Sequence, residues 1–95
     1  MAGDDWEVMR AYFSLYLMAW EYDFAQKVID GMRECFPSAL SPRLLQAKLH
    51  RALGRKGEAL ATVRSILSEA PDFTPASRLE KHWRTSDARR LLFGA

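Results

Sequence analysis

Ninety-five residues leave room for a single domain, and a hydrophobic share of 48% marks a chain that folds rather than stays disordered. The single cysteine, Cys35, excludes an internal disulfide and fits a reducing compartment. An acidic N-terminus where a secretory signal is basic, and an uncharged run of only ten residues over 11–20, argue for a soluble, cytoplasmic chain.

The net charge of +2 is unevenly spread. Residues 1–40 hold three basic and seven acidic side chains, a balance of −4, and residues 41–95 hold eleven and five, a balance of +6. Such asymmetry admits an acidic partner on the second half or simply two differently solvated surfaces.

In chain order, Asp4 or Asp5 caps a first helix over about 6–19, with Glu7 completing a capping-box-like pair beside Asp4. Its apolar residues, Trp6, Val8, Met9, Ala11, Tyr12, Phe13, Leu15, Tyr16, Leu17, Met18 and Trp20, wrap most of the circumference, so it needs cover on more than one side. A second helix spans about 23–35, capped by Asp23, with Gln26, Lys27, Asp30, Arg33 and Glu34 facing water. Ser41-Pro42 reads as cap plus first-turn proline for a third helix to Leu53, stopped by Gly54. A fourth runs over about 56–70, and Thr74-Pro75 opens a fifth to about Trp83. Ser86-Asp87 can cap a last short helix over 88–93, which is stable only if docked.

These helices repeat with a period of 34 residues. Ala25, Ile29, Met32, Phe36 and Pro37 pair with Ala59, Val63, Ile66, Ala70 and Pro71, the apolar members falling on one helical stripe and the proline beyond the helix end. The first helices share the spacing: Val8, Pro42 and Ala76; Ala11, Leu45 and Leu79; Leu15, Leu49 and Trp83. The prediction is an all-α stack of helical hairpins, about five helices plus a short C-terminal one, in repeats over about 6–39 and 40–73 and a partial one over 74–95.

Catalytic and cofactor chemistry is without support. No GxxxxGK[ST], HExxH or paired CxxC occurs, and His50 and His82 stand on separate helices with no carboxylate or cysteine at ligand spacing. Cys35, closing an apolar stripe beside Phe36, reads as a buried structural thiol rather than a nucleophile. Gly54-Arg55-Lys56-Gly57 reads as a turn, since the strands of a GxxG RNA-binding fold are missing. The basic set Arg43, Lys48, Arg51, Arg55, Lys56 and Arg64 holds no aromatic for base stacking and is interrupted by Glu58 and Glu69, so no nucleic-acid role is expected. No cofactor, metal or catalytic residue is assigned.

Tyr22, Ala25, Ile29 and Pro37 in the first unit, and Gly54, Ala59, Val63 and Pro71 in the second, resemble a tetratricopeptide repeat over roughly residues 6–85. Trp20 stands where that family prefers its turn glycine, and Met9, Tyr12 and Phe13 occupy its first-helix Trp and Leu-Gly positions. Within the superfamily, FAQKVIDGMRECFP and ALATVRSILSEAPDFTPAS are similar to stretches of the small bacterial needle-subunit chaperones of type III secretion. That resemblance implies a cytoplasmic chaperone or co-chaperone that holds an amphipathic helix of a needle subunit in a concave groove, blocks its early assembly and pairs with a very small second protein.

In a stack of helix pairs the first helix of each pair lines the concave side. The expected partner-binding residues are Trp6, Arg10, Phe13, Ser14, Leu17 and Met18, then Leu44, Lys48 and Arg51, then Arg78 and His82. That surface is apolar at one end and basic at the other, fitting a helix with an apolar stripe and an acidic flank. The alternatives are a general adaptor that docks a peptide electrostatically and a homodimer built on the first helix.

Overall fold

A computed structural model describes the backbone of residues 2–93 and the side chains of residues 8–89. Five helices follow one another as antiparallel neighbours: α1 (Ala2–Met18), α2 (Tyr22–Cys35), α3 (Ser41–Ala52), α4 (Lys56–Glu69) and α5 (Thr74–Phe93). The expected all-α hairpin stack is what forms.

The two stripes explain the packing. Ala25, Ile29 and Met32 on α2 are fully enclosed with Phe13 of α1 and with Leu45 and Leu49 of α3. Ala59, Val63 and Ile66 on α4 are enclosed with Leu44 and Ala47 of α3 and with Ala76 and Trp83 of α5. Helix α3 therefore serves both clusters, Leu45 and Leu49 facing backward and Leu44 and Ala47 forward. Each large aliphatic chain so enclosed contributes about 1.5–3 kcal/mol. A small residue at Ala25 and Ala59 leads each stripe, leaving room for close helix approach.

The period of 34 is written into the backbone as well. Glu21 N–H donates to Tyr16 C=O at 2.8 Å, and Arg55 N–H to His50 C=O at 2.8 Å. Trp20 N–H reaches Leu17 C=O at 3.2 Å, and Gly54 N–H reaches Arg51 C=O at 3.0 Å. At the far helix ends, Phe36 bonds back to Met32 at 2.7 Å and Ala70 to Ile66 at 2.8 Å. The turns within the α1–α2 and α3–α4 hairpins each use a left-handed residue, Trp20 with φ 61° and Gly54 with φ 82°. Glycine adopts that conformation freely, whereas an L-residue resists it, so Trp20 is the costly member of the pair.

Several local expectations are corrected. Helix α1 begins at Ala2, so Asp4 and Asp5 lie inside its first turn rather than in front of it. Glu21, Leu40 and Arg55 occupy the cap positions of α2, α3 and α4, and none makes a side-chain cap bond. Ser41 and Pro42 are the first residues of α3. Gln26 is part-buried, exchanging bonds of 2.8 and 2.9 Å with Gln46 of α3. Cys35 is exposed, as is Glu69 at the same register, and Met32 is the last buried residue of the stripe.

The predicted break at Ser86-Asp87 does not occur, and α5 runs unbroken to Phe93. Asp87 is not a cap: its carboxylate lies 2.9 Å from Arg51 Nη2 and 3.8 Å from Lys56 Nζ. Ala88, in the register of Trp20 and Gly54, stays helical. On the outer side of α5, Arg78 and Lys81 are exposed where Leu44 and Ala47, at the same register in α3, are buried.

Candidate partner-binding surfaces

The first helices of the three units carry equivalent positions that meet different surroundings. In α3, Pro42, Leu45 and Leu49 are buried, the leucines packing with the stripe of α2. In α5, Ala76 and Trp83 are buried against the stripe of α4, and Leu79 packs at its edge. In α1 the matching residues are Val8, Ala11 and Leu15, and all three are exposed, Val8 to 51% and Leu15 to 60%. The face that docks onto a preceding helix in α3 and α5 is apolar and bare in α1.

This bare face is wider than the three register positions. Tyr12 is 51% exposed, Met18 80% and Trp20 79%. Tyr12, Tyr16 and Phe24 form a stacked ladder from α1 to the start of α2, with ring centroids 6.3 and 5.3 Å apart. Lys27 Nζ lies 5.3 Å from the Phe24 ring centre, a cation at the edge of the patch. Such a contiguous apolar surface is the usual physical mark of an interaction site.

The predicted partner-binding set divides on this geometry. Met18 is on the surface, as are Arg10, Ser14, Arg78 and His82. Phe13 and Leu44 are corrections: each is enclosed in the chain's own core, Phe13 facing α2 and Leu44 serving the second cluster. Leu17 is part-buried at the edge of the first cluster. Trp6 lies outside the described side chains. Sequence reasoning thus took the inward side of α1 for part of its outward one. The missed residues Val8, Tyr12, Leu15 and Trp20 were signalled by the spacing of 34, since a position that is buried by a preceding helix in α3 and α5 has no such cover in α1.

The basic positions also separate. Ser14, Lys48 and His82 share one register across the three first helices. Burial lowers the Lys48 pKa below its usual 10.5, and the neighbouring positive charge of Arg10 lowers it further. Arg51 is committed within the chain: its guanidinium bonds Asp87 and lies 4.8 Å over the Trp83 ring. Lys48→Glu is consequently a cleaner probe of electrostatic docking than any change at Arg51.

Among the described residues no group of three or more metal-ligating side chains comes together, and no helix is long and apolar enough to cross a membrane. No protein-family model matches the chain, and comparison with curated proteins and with solved structures returns no match.

Proposed function

We propose that this chain is a protein-binding scaffold of tetratricopeptide type, acting as a chaperone or co-chaperone for a secretion substrate such as a needle-type subunit. The observation that carries the reading is the bare apolar face of α1, centred on Val8, Tyr12 and Leu15, in the register where α3 and α5 are each covered by a helix. A second chain supplying a helix with a small-residue-led aliphatic stripe, as α2 and α4 supply, would complete that face. Arg10, Ser14, Met18, Lys48, Arg78 and His82 remain the residues offered to the substrate helix. Met18 suits such a surface because its unbranched thioether adapts to different partners. The needle-chaperone identity rests on the sequence resemblance alone.

The test is co-purification from the native host with tagged wild-type protein and with Leu15→Asp and Tyr12→Asp variants, each followed by light scattering. The expected result is a stoichiometric small partner on the wild type that is lost from both variants while their helicity by circular dichroism is kept. A wild-type chain that runs as a lone monomer with no partner would sink the proposal. A dimer of the chain alone, disrupted by the same variants, would replace it with a homodimeric scaffold.

A further inference from the structure

A cleft of about 460 Å³ opens between α4 and the second half of α5. It lies within the size range of ligand-binding clefts, about 300–1,000 Å³. Its floor is Leu60 and Trp83, and its rim carries Arg51, Lys56, Arg64 and Arg84. Two acids answer those four cations. Asp87 holds Arg51 and Lys56, and Glu80 Oε1 is 3.4 Å from Arg84 Nη2. Arg64 is exposed and makes no ion pair among the described residues. An apolar floor under a rim of excess positive charge is complementary to an apolar group flanked by anions.

We infer that this cleft binds an acidic peptide segment, taking one bulky aliphatic side chain against Leu60, beside the largely covered Trp83, while flanking carboxylates meet Arg64 and Arg84. A nucleic acid fits less well, because the Trp83 ring is already covered by the Arg51 guanidinium and offers no open face for a base. A bare phosphate would leave the apolar floor unused. Asp87 acts here as an internal competitor: its carboxylate occupies the two rim cations an incoming acid would otherwise meet. The inference stands apart from the α1 face, which lies on another part of the stack.

The experiment uses the full chain and an end-blocked peptide with leucine between glutamates, fluorescently labelled and followed by anisotropy. Blocked ends ensure that no terminal carboxylate is read. Micromolar binding is expected, weakening about tenfold with Arg64→Glu and strengthening with Asp87→Asn. A separate variant adds bulk at the cleft wall: a Cβ at Gly57 would meet nothing within 4 Å, so Gly57→Leu starts without a clash at Cβ and is expected to crowd the site. Circular dichroism confirms folding for each variant. The proposal is overturned if Gly57→Leu binds like wild type or if a serine-for-leucine peptide binds equally well. It is equally overturned if the peptide does not bind, whether or not inorganic phosphate or a single-stranded RNA does.

Discussion

The two hairpins α1–α2 and α3–α4 are near copies in backbone and in buried stripe, yet they differ in what their first helices show to the outside. Leu49 is 1% exposed and Leu15 is 60% exposed at the same register. Their turns differ too, with Gly54 relaxed and Trp20 held in the conformation glycine prefers. Both differences fall in the first hairpin, and both cost something: apolar surface left in water and an L-residue at positive φ. Two departures from an otherwise repeated solution, both in the first hairpin, are where a function other than folding is to be sought.

The comparison breaks most sharply at the leucines. Leu49→Asp buries an unpaired carboxylate and should unfold the chain, with a loss of about 4 kcal/mol or more in urea titration. Leu15→Asp should change stability by no more than about 0.5 kcal/mol while abolishing partner capture. If both variants unfold the protein, the α1 face is covered in solution and the contrast between the hairpins disappears.

The turns give the next effect. Gly54→Ala should cost about 1 kcal/mol, since φ 82° disfavours any side chain. Trp20→Gly should stabilise the lone chain by about 1 kcal/mol by releasing the same strain. If Trp20 belongs to the interface, that gain comes with weaker partner binding, measured by titration against the captured protein. A loss of stability in Trp20→Gly would mean that the indole supports the fold.

The smallest effect sharpens the basic register. Lys48 carries a depressed pKa, so the folded chain holds that proton less tightly than the unfolded chain does. Wild-type stability should therefore rise with pH through the window from the lowered value up to 10.5, and the penalty is fully present below that window. Lys48→Met should accordingly be more stable at neutral pH, by less than about 1 kcal/mol given its partial solvent screening. The gap should close as pH approaches 10.5. A gap independent of pH would assign the change to packing instead.

Much of this architecture was legible because the buried stripes repeat. Ala25, Ile29 and Met32 and their partners Ala59, Val63 and Ile66 announce two equivalent helices without any tertiary information. The length of α5 was hidden because Ser86-Asp87 carries a start signal whose carboxylate is drawn to Arg51 and Lys56, a contact no local pattern encodes. The cap assignments failed for a related reason, since helix starts are set by where the stripe docks as much as by the nearest Ser, Thr or Asp. For the candidate site, composition pointed to α1, where the structure leaves Val8, Tyr12 and Leu15 exposed, but on a helix apolar all round it could not say which side faces in. The registers of Phe13 with Ala47 and of Leu15 with Leu49 hold that information, and only the packing of α3 reads it out.

The polar outer side of α5, with Arg78 and Lys81 standing where α3 has Leu44 and Ala47, has a consequence for assembly. A molecule apolar on both outer faces of its stack would add copies indefinitely, whereas among the described residues the apolar outer face is that of α1 and the outer side of α5 is charged. A copy docked by its α1 face would therefore not find a matching apolar face on the outer side of α5, which disfavours head-to-tail growth of the stack.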